Sequence, residues 1–223
     1  MSNPSYAVVY FPIRGRAEPI RLLLASLGLP FEDRDIVRER WMETKATLPL
    51  GQAPVLIETS ADGGETMIPQ SQAILRHLAR VHGRYGRDES EMLRADVLAE
   101  TVHDVRAILA PFAAPNTRGK DPAGLRQAVD EKLPLGLSRL EKLHGDASSD
   151  LFVEQLPTWA DCLAYDLLST LDEIAPASLA PFPGLRAFLV AMNGHPSLSA
   201  YLASRRPSEL AVLKQVLESG QAV

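Results

Sequence analysis

The chain has 223 residues, 46% of them hydrophobic and 23% charged, a formal net charge of −5 at pH 7 and a single cysteine, Cys162. That length fits one large domain or two small ones. The acidic balance argues against nucleic-acid binding, and one cysteine excludes an intramolecular disulfide. No run of about 18 apolar residues points to a membrane span, and no basic-then-apolar leader opens the chain, so the expected compartment is the reducing cytoplasm.

The charge is uneven. Residues 1–84 carry 10 Lys and Arg against 9 Asp and Glu, and residues 85–223 carry 13 against 19. Two compositional halves are therefore expected, with the anion-binding potential in the first.

In chain order, SYAVVYF (5–11) is short, β-branched and aromatic, and predicts a largely buried strand. Ile20, Leu23, Leu24 and Leu27 then fall on one helical face, with Pro19 near the first turn and Gly28 and Pro30 as a stop. PFEDRDIV (30–37) predicts a second strand, parallel to the first through a βαβ crossover. PVLIET (54–59), the turn SADGG and ETMI (65–68) predict a hairpin. SQAILRHLARVHG (71–83) predicts a helix with Ser71 as its N-cap, Ile74, Leu75, Leu78 and Val81 on one face, and Gly83 at its end. Residues 1–83 thus form a mixed α/β domain, βαβ then ββα, and 84–90 a polar linker. Residues 91–223 are all-helical: a long helix through Leu98, Val102, Val105, Leu109 and Phe112, a loop at 114–124, and helical spacing at 125–143 broken at Pro134. There follow a helix from Trp159 with Thr158 and Asp161 set for a capping box, two shorter helices at 184–194 and 198–203, and a tail at 208–220 that forms a last helix or frays.

Each candidate for chemistry has a plain structural reading beside it. Tyr10 shares a strand face with Tyr6 and Val8 and reads as a core aromatic. Yet it stands at a strand's carboxyl end before a helix, where open α/β sheets bind ligands. Arg14 and Arg16 flank Gly15 as solvated turn residues, or one of them supplies a positive field for an anion. Pro54 is a strand-start proline, or, with a cis Ala53–Pro54 bond, turns residue 53 outward to pair with an extended peptide. Gln70 and Ser71 open a helix, where free N–H groups and the dipole favour a carboxylate. Asp104 and His103 read as surface residues of the long helix. Cys162 reads as a small core residue. His77, His82, His103, His144 and His195 show no i, i+4 pair, so no metal site is expected.

Taken together, these segments resemble the cytosolic glutathione transferases of the tyrosine type, first the Pi class and then the Sigma class, over nearly the whole chain. The resemblance rests on YAVVYFPIRGRAEPIRLLLA, GQAPVL, QSQAILRHLAR, TWADCLAYDLL and FPGLRAFLVAMNGHPSLSAYLAS. It implies a thioredoxin-like N-terminal domain, an all-helical C-terminal domain and a homodimer. It implies no cofactor, with glutathione as co-substrate conjugated to electrophilic small molecules. By the same resemblance Tyr10 bonds the glutathione sulfur with Arg16 in support, and Trp41 and Lys45 hold the glycyl carboxylate. Gln52 and Ala53 pair with the peptide beside a cis Pro54, Gln70 and Ser71 take the γ-glutamyl carboxylate, and Asp104 reaches the γ-glutamyl ammonium from the other subunit. Phe11, Ile13, Ala110 and Ala114 line the electrophile pocket.

The chain departs from the Pi pattern in three places. Leu50 stands where an aromatic key residue of the dimer is usual, the stretch from Trp41 to Gly51 is shorter, and Ala114 replaces a pocket tyrosine. Rival readings on the same fold are a non-catalytic ligand carrier or crystallin-like protein, and a glutathione-dependent isomerase or peroxidase.

Overall fold

The computed structural model describes residues 5–147, 149–153 and 155–222. Strands β1 (Ser5–Tyr10), β2 (Phe31–Asp35), β3 (Val55–Thr59) and β4 (Glu65–Pro69) form one sheet in the order β2-β1-β3-β4. β1 runs parallel to β2 and antiparallel to β3, with Tyr10 opposite Asp35 and Val9 opposite Val55. Because β1 lies inside the sheet, it is buried from Tyr6 onward. Its alternation divides the apolar residues between two faces. Tyr6, Val8 and Tyr10 join the main core, and Ala7 and Val9 join a smaller cluster with Ile36, Leu48, Val55 and Ile57. β4 closes an antiparallel hairpin on β3, at whose turn the Ser60 N–H donates to the Gly64 carbonyl at 2.9 Å.

Helix α1 (Glu18–Ser26) crosses from β1 to β2. A short α2 (Trp41–Thr47) covers the smaller cluster, and α3 (Ser71–Val81) packs on the main core. This is the thioredoxin-like arrangement expected from residues 1–83, with two corrections. Ser71 is not the cap of α3: it is the first helical residue, and Gln70 occupies the cap position at φ 72 with no side-chain capping bond. Val81, expected on the buried face, is 55% exposed because the last turn of α3 runs past the core.

The remaining elements are helical: α4 (Glu89–Ala113), α5 (Pro122–Gln127), α6 (Leu133–Gly145), α7 (Trp159–Ile174), α8 (Pro183–Asn193), α9 (Ser199–Ala203) and α10 (Ala211–Ser219). The break expected at Pro134 takes the form of a widened turn at Ala128–Lys132, just before the first turn of α6, where the proline's missing N–H is tolerated. α7 begins in the expected capping box. Thr158 Oγ1 accepts from the Asp161 N–H, the Asp161 carboxylate accepts from the Thr158 N–H at 3.0 Å, and it also takes the Phe152 N–H at 2.9 Å. Cys162, one turn in, is fully buried, and burial pushes its thiol well above the usual range.

The tail resolves to the helix alternative, because α10 buries Leu213, Val216 and Leu217. Two polar readings fail for one reason, that a neighbouring element covers the residue. Tyr85, in the connector, is buried with its hydroxyl donating to Asp96 at 2.9 Å. His103 is half-buried rather than solvated, and its Nε2 has no hydrogen-bond partner among the described residues.

α1 packs against α7, so one apolar core runs from the sheet into the helical part. Charged groups lie in that seam. The Glu18 carboxylate is fully buried, 2.6 Å from Arg205, 3.6 Å from Arg21 and 3.0 Å from the Tyr201 hydroxyl. Arg205 also reaches Asp166 at 3.1 Å, and Arg106 takes the other Asp166 oxygen at 2.6 Å.

Candidate functional site

The turn after β1 places the first candidate. Tyr10 is 8% exposed, with its ring edge-on to Phe11 at 5.7 Å. Gly15 lies against it at φ +43: a Cβ built there would stand 2.7 Å from the phenol oxygen. Only glycine combines that backbone conformation with so close an approach. The next residue, Arg16, donates its backbone N–H to the phenol oxygen at 3.3 Å. Since that oxygen accepts from the main chain, the phenol proton remains free to be donated elsewhere. Burial, first, raises the Tyr10 pKa above 10.0; the Arg16 N–H bond opposes this, and the charge of Glu209 adds to it. The phenol is therefore a hydrogen-bond donor near neutrality rather than a base. Gly15→Ala is expected to cost about 1–3 kcal/mol of stability through the strained φ and the clash, read as a lower denaturant midpoint. An unchanged midpoint would mean that the turn is not fixed as described.

Arg16 has an exposed side chain and meets Tyr10 through its backbone. Arg14 corrects the solvated reading. It is buried, with Nη1 2.6 Å from the Glu173 carboxylate and Nε donating to the Arg206 carbonyl at 2.5 Å. It clamps the turn to the helical part.

Around this turn, Trp41 opens α2 with its ring 5.3 Å from that of Phe11, while the Arg38 guanidinium lies over the Phe11 ring, 5.5 Å from its centroid. Lys45 is exposed on α2, near enough to Gly51 that a Cβ there would meet its Cε at 3.3 Å. Leu50 protrudes from the following turn at φ 58, 71% exposed. Gln52 is exposed, and the Ala53–Pro54 bond is cis. Ala53 precedes the β3 ladder, which starts at Val55, and makes none of the turn or loop backbone bonds among the described residues. Gln70 Nε2 donates to Gln52 Oε1 at 2.9 Å, which brings the GQAP and PQSQ segments together. Ser71 is half-buried at the start of α3.

Phe11 and Ile13, in the turn after Tyr10, are both half-buried, while Ala110 is exposed and Ala114 half-buried at the carboxyl end of α4. Asp104 is exposed on α4, where a cavity of about 60 Å³ lies between α4 and α6, lined by Thr101, Asp104, Ile108, Lys132, Leu135 and Arg139. No contact joins Asp104 to the Tyr10 turn among the described residues. Sequence reasoning missed Glu173, Arg206 and Glu209, which touch the turn from 159 to 194 residues away. Nothing in local spacing marks them.

A thioredoxin-like sheet whose first strand ends in a hydrogen-bonding tyrosine, joined to an all-helical domain, defines a class of two-domain proteins. Residues 7–80 match the N-terminal domain model of glutathione S-transferase and residues 103–205 its C-terminal domain model. The chain is 33% identical over 205 residues to glutathione S-transferase P of Bos taurus, covering 90% of this chain and 93% of that protein. Among solved structures it is similar to the Pi-class glutathione S-transferase of Onchocerca volvulus, with 32% identity, a TM-score of 0.76, and coverage of 90% of this chain and 93% of that one. It is also similar to the sigma class GST of Fasciola hepatica, with 28% identity, a TM-score of 0.84, and coverage of 93% and 99%. The chain belongs to the glutathione S-transferase family.

Proposed function

We propose that this glutathione transferase joins the thiol of glutathione to soft electrophilic carbon, with the Tyr10 phenol donating a hydrogen bond to the sulfur anion. The observation that carries the reading is the Arg16 N–H on the Tyr10 oxygen, which leaves the phenol proton for a sulfur anion. A free thiol has a pKa of about 8.5, so each unit of lowering stabilises the thiolate by about 1.4 kcal/mol. The thiolate attacks carbon, the C–S bond forms as the leaving group departs with its electron pair, and the thiol proton passes to solvent.

The other residues are assigned to the tripeptide. Trp41 and Lys45 take the glycyl carboxylate, and Gln52 with the free backbone groups of Ala53 beside Pro54 pairs with the peptide. Gln70, Ser71 and the N–H groups opening α3 take the γ-glutamyl carboxylate. Phe11, Ile13, Ala110 and Ala114 face the electrophile. Asp104 of the partner subunit meets the γ-glutamyl ammonium, so each site depends on a homodimer. The exposure of Leu50, Leu93, Val97 and Leu135 supports a covered face. No helix among the described residues is long and apolar enough to cross a membrane.

Conjugation of glutathione to a panel of aryl halides, epoxides and enals by the purified protein tests this. Turnover with none of them, alongside retention on glutathione resin, would replace the enzyme by a carrier. Asp104→Ala is expected to weaken glutathione binding about 10-fold, measured by calorimetry, and equal affinity would remove it from the site.

A further inference from the structure

The thiol-site turn is held from the far end of the helical part. The Gly15 N–H donates to Glu209 Oε1 at 3.0 Å. Glu209 belongs to a segment that is itself pinned: Arg205 lies between Glu18 and Asp166, and Arg206 pairs with Asp33 at 3.2 Å and Asp35 at 2.9 Å. The second Glu209 oxygen is shielded from water and has no hydrogen-bond partner among the described residues. A carboxylate beside a thiolate site works against the anion the site must stabilise, so its presence needs another cause. The geometry supplies one. Gly15 sits at φ +43, and the peptide group that follows it carries the N–H given to Tyr10. A charge-assisted bond on the Gly15 amide holds the turn more firmly than a neutral acceptor would.

We propose that Glu209 is a positioning residue of the thiol site, fixing the turn that presents the Arg16 N–H to Tyr10 at the cost of opposing negative charge on Tyr10 and on the bound sulfur. The proposal rests on the reading of Tyr10 as the partner of the glutathione thiol. The charges that act on Tyr10 are those of Arg16 on the turn itself, Arg21 on α1 and Glu209. Arg14 with Glu173 on α7, and Arg206 with Asp33 and Asp35 of β2, form the next layer and are mutually paired or bonded. Glu209, bonded to the Gly15 N–H of the same turn, is the one anion among those charges, and it raises the Tyr10 pKa.

Two variants separate charge from geometry. Glu209→Gln keeps an acceptor for the Gly15 N–H and removes the charge, whereas Glu209→Ala removes both. The Tyr10 phenol is titrated without ligand by NMR of protein carrying ¹³C-labelled tyrosine, its resonance assigned with Tyr10→Phe. The thiolate of bound glutathione is titrated by its ultraviolet absorbance. In Glu209→Gln both titrations are expected to move down by about half to one unit, giving about 3–10-fold more thiolate below the midpoint, with KM for glutathione unchanged. In Glu209→Ala, kcat above the titration is expected to fall about 3–10-fold relative to Glu209→Gln.

A Tyr10 titration unmoved by Glu209→Gln overturns the electrostatic half. Equal kcat for the two variants above the titration overturns the positioning half. If the Tyr10 resonance moves as expected but the wild type forms no thiolate and turns over no electrophile, the enzyme reading falls while the placement of the Glu209 charge beside Tyr10 stands.

Discussion

Tyr10→Phe is expected to raise the pH at which bound glutathione ionises by about 1–2 units and to cut turnover near pH 7 about 10–100-fold, with glutathione affinity nearly unchanged. The phenol is almost wholly buried, and its oxygen is occupied by a main-chain donor, so its proton has one direction left in which to be useful. Phenylalanine keeps the packing against Phe11 and the Gly15 turn while removing that proton. Under the proposed assignments affinity rests on Trp41, Lys45, Gln52, Ala53, Gln70 and Ser71, so the loss is expected in the ionisation step and not in binding. The check is the pH profile of kcat/KM with a fast electrophile. A profile that superimposes on the wild type would sink the assignment of Tyr10.

The second large effect concerns stability. Arg205→Met is expected to cost about 3–5 kcal/mol. For a chain of this size that lowers the melting temperature by roughly 6–20 °C, at about 2–4 °C per kcal/mol. The Glu18 and Asp166 side chains are almost completely enclosed, and Arg205 is the cation they share. Without it Glu18 keeps Arg21 at 3.6 Å and the Tyr201 hydroxyl, a poorer set of partners. The sign of the pH dependence follows. Burial, the largest influence, and the Asp166 charge already raise the Glu18 pKa, while Arg205 lowers it. Loss of Arg205 lifts it further, so the folded variant holds a proton there more tightly than the unfolded chain. Relative to wild type the deficit is therefore smallest at acid pH, below the ordinary carboxylate range, and grows as pH rises through the folded value. Melting curves from pH 4 to pH 8 read this directly, and a deficit independent of pH would show that Glu18 is not the group left unpaired.

These pairings mark where the sequence stops being legible. The strand at residues 5–11, the hairpin at 54–68 and the capping box at Thr158 were readable because each is specified within a few residues, by alternation, turn chemistry or a three-residue offset. The cluster around Tyr10 was readable only in part. Tyr10, Gln52 and Gln70 lie in separate short motifs, and nothing in their spacing requires the amide of Gln70 to meet that of Gln52. Arg14 read as a solvated turn residue because an arginine after a strand usually is one; its partners Glu173 and Arg206 are distant in sequence. Charged residues carry no periodic signal of burial, so an ion pair across two packed units emerges only from the tertiary fold. The same holds for Ser71 and Gln70: their order predicts a helix start, but not which of the two takes the left-handed conformation.

The buried Cys162 bears on how such a chain survives its own chemistry. On the proposed mechanism the protein gathers reactive carbon beside an activated sulfur and so exposes its own nucleophiles to the same reagents. The one thiol it carries sits inside α7 at 0% exposure, uncharged near neutrality. Alkylation would first require the helix to open, so under that mechanism the electrophile would meet the diffusible tripeptide first and leave the catalyst unmodified.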